Sequence, residues 1–350
     1  MSSGEIVALN LGSSSLKAAV RTSESAQPVF STQIERVGSA VDTRSAVEQV
    51  AARVSEQGFR PAAVAHRVVH GGPVHSDPTV IDPHLMSELA ALIPLAPLHL
   101  PGALDTIAQA QRRWPEAVHV ACFDTGFHSG MPERSRRLPV PAELDQFGVR
   151  RYGFHGLSVQ SVLLARPGAG AAVVAHLGSG CSVTAVDEAG RSRFNTMSFT
   201  PAAGMMSSTR PGDLDPEIAL YLIEQHGYTT ERLRELLNRE SGLAGVGGGH
   251  RDLRDLHEAA LRGDDTAALA LDMFVQSAAM AIAACATTLD RWDTLVFTGG
   301  VGEHATDVRE QIVARLRLTG VSVLVVPADE ERVMDLLARA LLRDQGFETV

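Results

Sequence analysis

Two rhythms of apolar residues alternate along this chain. The short runs "EIVALNL", "AAVAHRVV", "VHVACF", "AAVVAHL" and "DTLVFTG" are rich in Val, Ile and Ala and reach Gly, Asp or His at their ends. Uninterrupted apolar runs of this length predict strands of a sheet that helices cover on its faces. Between them lie "TRSAVEQVAARVSEQ", "PGALDTIAQAQRR", "DLDPEIALYLIEQHG", "DDTAALALDMFVQSAAMAIAACATTLD" and "DEERVMDLLARALLRD", where apolar positions recur at helical spacing. Several of these open on Thr or Asp with acids in the first turn, which predicts capped helix starts.

The pattern repeats itself once at long range. "IVALNLGSSSLKAAV" and "VVAHLGSGCSVTAV" share one layout: an apolar strand, a polar residue, Leu-Gly-Ser, then a second apolar strand. Two copies about half a chain apart predict a duplicated domain facing its counterpart across a cleft. A length of 350 residues agrees, being more than one compact core usually holds. No Ser/Gly-rich linker separates the copies, so "GVRRYGFHG" is read as a tight crossing. The expected domains are residues 1–149, rejoined by a returning helix at 329–350, and residues 150–328.

Composition narrows the class. An apolar fraction of 45% fills two cores. A formal net charge of -10 argues against a phosphate-backbone surface, and the one basic cluster, "ERSRRL", is short and lacks interleaved aromatics. Cys122, Cys181 and Cys285 are widely spaced with no CxxC pair, which fits a reducing compartment and excludes the usual zinc spacings. The most apolar segments, "LIPLAPLHLPGAL" and "AAMAIAACATTL", read as too short or too proline-broken to span a bilayer. The expectation is a soluble cytoplasmic protein without nucleic-acid or membrane partners.

Of the 31 lysines and arginines, only Lys17 is a lysine, and it follows a Gly-Ser-Ser-Ser turn. Successive backbone N–H groups of such a turn, with hydroxyls as extra donors, suit a phosphate, and an ammonium at the rim adds a compact charge. A Gly-Ser hairpin turn is equally an ordinary turn. No GxxxxGK[ST] occurs and no GxGxxG follows the first strand, so neither a Walker-type nor a dinucleotide fold is supported. Other strand ends carry chemistry too: Arg67 in "HRVVHGG", Asp124 in "CFDTGFH", His155 in "RRYGFHG", the turn in "HLGSG", Arg210 and Asp213 in "STRPGDLDP", and the turn in "FTGGVGEH". His66 and His70 fall on the strand face opposite Arg67 and have no evident third partner for a metal. Each residue has an ordinary structural explanation taken singly; their joint occurrence at strand ends does not.

Taken together, "N-x-GSSSLK", "HRVVHGG", "APLH", "FDTGFH", "RRYGFHG", "HLGSG", "TRPGDLDP", "SGLAG", "DLRD" and "FTGGVGE", in this order, resemble the acetate and propionate kinase family. That family belongs to the actin-like, sugar-kinase-like ATPase superfamily, and the likeness runs from about Ile6 to the "VPADEE" segment. The resemblance implies an α/β fold of duplicated actin-like (RNase H-like) ATPase domains facing a nucleotide cleft. It implies reversible, ATP-dependent phosphorylation of a short-chain carboxylate, acetate to acetyl phosphate, by in-line transfer, with ATP/ADP as co-substrate, Mg2+ as cofactor and a homodimer as the assembly.

Residue by residue, the resemblance places Arg67 and Arg210 at the carboxylate and the transferred phosphoryl group, where a planar donor fork suits either oxyanion. It places His155 at the transition state and Asp124 at the reaction centre. A carboxylate substrate has no proton to abstract, so Asp124 is read as orienting an arginine or the magnesium. Asn10 and Glu330 align with the metal neighbourhood. Lys17, Ser13 and Ser15, then His176, Leu177, Gly178, Ser179 and Gly180, then Asp252, Leu253 and Arg254, then Gly300, Val301, Gly302 and Glu303 align with the nucleotide site. Val69, Leu98, Phe154 and Pro201 align with the apolar wall around the acyl chain; the implied homodimer forms through the second domain, for which "AAMAIAACA" reads either as an apolar contact helix or, more commonly for such a run, as a buried core helix.

The chain departs from the family pattern at Ser179, Val159, Leu100, Gly102 and Asn195, and it is shorter than typical members. One methylene in an apolar pocket is worth about 1–3 kcal/mol, so acetate and propionate or butyrate are not separated by reading. A non-catalytic actin-like nucleotide-binding protein is the alternative from another class; the two arginines and the absence of an added peptide-binding domain count against it.

Overall fold

The structure, a computed structural model, describes residues 4–12, 15–23, 25, 27–168 and 170–347. Its contacts divide the chain into two compact units: residues 1–129, 155–161 and 329–350 form unit 1, and residues 130–154 and 162–328 form unit 2.

Unit 1 is built on a six-stranded sheet of β1 (Ile6–Leu11), β2 (Ser15–Arg21), β3 (Phe30–Glu35), β4 (Ala63–Val68), β5 (Thr79–Val80) and β6 (Val118–Phe123). Their order is β3-β2-β1-β4-β6-β5. Unit 2 carries β7 (Ala172–Leu177), β8 (Cys181–Val186), β9 (Ser192–Asn195), β10 (Thr294–Thr298) and β11 (Ser322–Val325), in the order β9-β8-β7-β10-β11. The helices in chain order are α1 (Thr43–Glu56), α2 (Pro83–Ala91), α3 (Leu100–Arg113), α4 (Glu133–Arg136), α5 (Gly156–Ala165), α6 (Glu217–His226), α7 (Thr230–Glu235), α8 (Gly242–Val246), α9 (Leu253–Leu261), α10 (Asp265–Ala286), α11 (Gly299–His304), α12 (Thr306–Leu316) and α13 (Glu330–Asp344).

The two sheets repeat one plan. β1 and β2 pair antiparallel through the Gly12 turn, and β4 and β6 follow in parallel on the other side of β1. In the same way β7 and β8 pair antiparallel through the 178–180 turn, while β10 and β11 lie parallel beyond β7. The repeat read in the sequence is therefore a repeat of topology, and Asn10 and His176 stand at equivalent places near the end of each first strand.

Helices cover both faces of the first sheet. On one face Val7, Leu9, Leu16 and Val20 pack with Val47, Val50 and Val54 of α1 and with Trp114. On the other, Ile6, Ala8, Ala65 and Val120 meet Val333, Met334, Ala338 and Leu342 of α13, so β1 is buried on both sides. Burying a large aliphatic side chain stabilises by about 1.5–3 kcal/mol, which makes α13 part of the core of unit 1. In unit 2, Val173, Ala175, Leu295 and Phe297 pack against Leu256 of α9, Phe274 and Ala278 of α10 and Ile312 of α12.

Helix starts follow the sequence. Asp42, Asp82, Asp252, Asp264 and Asp329 each accept a backbone N–H at the head of α1, α2, α9, α10 and α13, and Thr229 does so for α7.

Two expectations are revised. Residues 130–149, read with the first domain, group with unit 2: Arg151 N–H donates to Arg136 O, Tyr152 N–H donates to Ser198 O, and Arg151 Nη1 donates to the carbonyls of Asn195 and Thr196. Most of the apolar segment at 278–289 lies in the C-terminal part of α10, which at 22 residues is long and apolar enough to cross a membrane by length and composition. The whole stretch from Asp264 reads as one helix in the sequence, but the comparison of its length with a bilayer rests on the 278–289 segment alone. In the fold, Ala267, Ala270, Phe274, Ala278, Ile282 and Cys285 of this helix are buried in unit 2.

Candidate active site

Parallel pairing of β4 with β6 brings their C-terminal ends level, Arg67 facing Cys122 and Val68 facing Phe123. Arg67 and Asp124, the residue just past β6, consequently meet. Arg67 Nε donates to Asp124 Oδ1 and Oδ2 at 3.1 and 3.0 Å, and its Nη2 donates to Oδ2 at 2.6 Å. Its Nη1 donates to Asn10 Oδ1 at 3.1 Å, and Asn10 Nδ2 donates to Glu331 Oε1 at 2.7 Å. The chain Asp124–Arg67–Asn10–Glu331 thus spans three neighbouring strands and the head of α13.

The charges in this cluster act on one another. Burial disfavours the Arg67 cation, but the charge and hydrogen bonds of Asp124, with Glu330 and Glu331 beyond, outweigh it and hold the pKa above the ordinary guanidinium value. Burial raises the pKa of Glu330, which is 7% exposed; Arg67 and Lys17 oppose that rise, while Glu331 and Asp124 add to it. Lys17 is the cross-strand partner of Asn10. The lone lysine therefore stands over the acidic end of this cluster.

His155 enters unit 1 beside Asp124, with φ +58° in the left-handed region that few non-glycine residues adopt. The next residue, Gly156, donates its N–H to Asp124 O at 2.8 Å, and a Cβ at Gly156 would come within 2.4 Å of that oxygen. Only glycine allows this approach. Val69 follows β4 and is buried, and Leu98 precedes α3, half-buried.

In unit 2 the second and third glycine turns come together. Gly299, at φ +77°, sits where a Cβ would lie 2.7 Å from Leu177 O and 3.1 Å from His176 Nε2. Gly300, Val301, Gly302 and Glu303 continue from it as α11. The Glu303 carboxylate turns back on the backbone, accepting N–H bonds from Gly299 and Ala328, both at 3.1 Å. Ser179 O accepts Ser208 N–H at 3.3 Å, which ties the 178–180 turn to the 207–210 segment. Arg210 there is 8% exposed and donates Nη1 to Pro201 O at 3.2 Å. Burial lowers its pKa, against the opposing influence of Cys181. Asp252 caps α9 and binds Arg254 through Nη2 at 2.7 Å, with Leu253 the first helical residue. Phe154 is buried.

Of the residues read from the sequence, Ser13 lies outside the described residues, and Ser15 opens β2 with its carbonyl accepting Gly12 N–H at 2.8 Å. His66 and His70 take ordinary roles: His66 pairs with His119, and His70 Nδ1 accepts Gly72 N–H. Among the described residues no group of three or more His, Cys, Asp or Glu side chains is arranged to hold a metal. Hard oxygen donors gather nonetheless at Asn10, Glu330 and Glu331, and one or two carboxylates beside substrate phosphates are what Mg2+ requires. The residues fit the ion on that ground.

Sequence reasoning missed Glu331, which adjoins Glu330 and was the accessible signal, and it missed what Asn195 does. The Asn195 side chain is fully buried; its Nδ2 donates to Phe154 O and Thr184 Oγ1, and its Oδ1 accepts N–H bonds from Met197 and Phe154.

Two sheets on one plan, each led by an antiparallel hairpin with a glycine turn, define duplicated actin-like ATPase domains, with an arginine–carboxylate cluster in one and two adjoining glycine turns in the other. The sequence matches the acetokinase family over residues 42–335. The acetate kinase of Deinococcus radiodurans is 40% identical over 341 residues, covering 89% of this chain and 85% of the relative. A propionate kinase structure from Francisella tularensis superposes with a TM-score of 0.84 at 31% identity, covering 95% of this chain and 98% of the other. The Porphyromonas gingivalis acetate kinase structure superposes with 0.83 at 29% identity, covering 97% and 100%. The chain belongs to the acetokinase family.

Proposed function

We propose that this protein transfers the γ-phosphoryl group of ATP to acetate, reversibly, forming acetyl phosphate and ADP. The observation that carries the reading is the Arg67–Asp124 pair, made at three N–O contacts and tied through Asn10 to Glu331. A carboxylate oxygen of acetate attacks the γ-phosphorus, the bond from that phosphorus to the β,γ-bridging oxygen breaks, and ADP leaves; no proton moves. Catalysis of this kind rests on positioning and on neutralising phosphoryl oxygens. Asp124 fixes the Arg67 fork for an oxyanion, which is the orienting role its chemistry suits.

Arg210 and His155 add positive and hydrogen-bonding character toward the transferred group. Lys17, Ser13 and Ser15, the 176–180 and 300–303 turns and the 252–254 segment bind the nucleotide. Val69, Leu98, Phe154 and Pro201 line the acyl chain. Glu330 and Asn10 would hold Mg2+, and the ion would supply neutralisation of phosphoryl charge. A propionate substrate is the second reading, favoured by the overlay with the Francisella enzyme.

We further place the protein in the cytoplasm, in keeping with its three free, buried cysteines, and infer a homodimer. Support for the dimer is the apolar surface of unit 2: no residue of α6 is buried, Ile218, Leu220 and Tyr221 stand exposed on it, and Met273 and Met280 are exposed on α10.

Trapping acyl phosphate with hydroxylamine in the presence of ATP and Mg2+ tests the reaction. Hydroxamate from acetate, falling about 100-fold or more in Arg67→Ala and Asp124→Ala, is the expected result. A protein that binds ATP yet gives no hydroxamate with acetate, propionate or butyrate overturns the reading.

A further inference from the structure

Arg21, the last residue of β2, has a side chain only 3% exposed, and its Nη2 donates to both carboxylate oxygens of Asp329 at 2.9 Å. Asp329 is the cap of α13: its Oδ1 accepts Arg332 N–H at 3.0 Å, and its own N–H donates to Ser161 Oγ at 3.1 Å. Farther along the helix, Arg339 Nε donates to both oxygens of Asp335, its Nη1 donates to Gly4 O, and its Nη2 donates to the carbonyl of Arg21 itself. Two buried arginines therefore tie α13 to β2 and the chain leading into β1.

Stability alone does not account for this arrangement. Val333, Met334, Ala338 and Leu342 already bury the helix on the sheet, and an ion pair whose carboxylate is 41% exposed adds little to that packing. What the pair adds is register, because apolar contacts tolerate small slides and a two-oxygen grip does not. The residues whose place depends on that register are Glu330 and Glu331, which follow Asp329 directly; Glu331 holds Asn10, and Asn10 holds Arg67.

We propose that Arg21 is a positioning residue for the kinase reaction, setting the first turn of α13 through Asp329 so that Glu330 and Glu331 are placed for the magnesium–nucleotide complex. The inference rests on the function proposed above. It concerns residues on β2 and at the helix cap that act through the turn they hold.

The test uses the full-length protein with Arg21→Met, which keeps most of the aliphatic stem, and Asp329→Ser, which keeps a capping oxygen but cannot reach Arg21. Two quantities are read: hydrogen exchange of the amides of 330–335 without ligand, and the Mg2+ concentration giving half-maximal hydroxamate formation, beside the KM for acetate. Both variants are expected to speed exchange in that turn and to raise half-saturating Mg2+ by about 10-fold or more, the usual effect of losing a partner behind a metal ligand. The double variant is expected to be no worse than the more severe single one, because the two residues act as a unit. Unchanged exchange, or a lower melting temperature with half-saturating Mg2+ unmoved, overturns the proposal. Should the wild-type protein form no hydroxamate, the functional reading fails, and exchange alone decides whether Arg21 sets the turn.

Discussion

At the scale of single residues, the site depends on side chains that use every hydrogen-bonding group they have. Asn195 makes four such bonds and holds both backbone polar groups of Phe154, the residue before His155 with its positive φ. A left-handed histidine persists only where its surroundings over-determine it. Asn195→Ala is therefore expected to lower stability by about 1–3 kcal/mol, from buried groups left unpaired. If His155 acts on the transferred group as proposed above, the substitution is also expected to lower kcat more than it raises the KM for acetate. Urea unfolding and the hydroxamate assay check the two effects separately, and an unchanged kcat would remove Asn195 from the positioning of His155. None of this was legible at the outset: the sequence marks Asn195 as a departure from its family, but its partners lie on β8 and in the segment before α5, up to 41 residues away.

Among the elements, β4 and β6 share a second device on the face opposite Arg67. His119 Nε2 donates to Trp114 O at 3.1 Å, which leaves His119 Nδ1 to accept the Nε2 proton of His66 at 2.9 Å. With both rings neutral in this tautomer pair, His66 Nδ1 is left buried with no hydrogen-bond partner for an added proton. Burial, with the neighbouring His119, pushes the His66 pKa well below the ordinary value of 6.5. Burial lowers that of His119 too, against its bond to Trp114. With folded values below unfolded ones, the unfolded chain binds more protons, so stability is full above about pH 6.5 and is lost as pH falls toward the folded values. The loss approaches about 1.4 kcal/mol per pH unit for each proton taken up. Urea midpoints measured from pH 8 to 5 should show this acid limb, and His66→Leu/His119→Leu should flatten it; a limb of equal slope in that variant would assign it to other groups. The elements themselves were the legible part of this fold. The strands β1, β4, β6, β7 and β10 and the helices α1, α3, α10 and α13 stand in the sequence as apolar runs and periodic stretches, because each buries one or both faces, and α6 stands out by its periodicity although none of its residues is buried. The edge strand β3 alternates polar and apolar positions, β5 has two residues and β11 is largely exposed, so none carries a comparable run. The Asn10–Glu331 and Arg21–Asp329 bonds join residues more than 300 positions apart and have no local trace.

For the whole molecule, the decisive feature is how the chain is shared between its units. Unit 1 needs residues 155–161 and 329–350 in addition to 1–129, and the intervening segment 162–328 belongs to unit 2. The ends of that segment meet where Asp329 N–H donates to Ser161 Oγ. If unit 2 were unfolded, forming that contact would close a flexible loop of about 170 residues, at an entropic cost on the order of 4–5 kcal/mol. Folded, unit 2 holds the ends together and removes most of that cost. Unit 1 should therefore lose its stability when unit 2 does. The cysteines make the statement measurable, since Cys122 lies in unit 1 and Cys181 and Cys285 in unit 2, all three buried and free. Burial raises the thiol pKa of Cys122 and of Cys181 to about 12 and pushes that of Cys285 well above its ordinary value, so the reactive thiolate is scarce in the native state. Maleimide pulses across a urea series, read by mass spectrometry of the three peptides, should find native protein unlabelled and all three sites opening at one midpoint. If Cys122 opened with Cys181 and Cys285 still protected, unit 1 would be the weaker body on its own. Protection of Cys122 beyond the midpoint of the other two would show that unit 1 stands without the loop closure that unit 2 provides, and the shared chain would then carry no coupling.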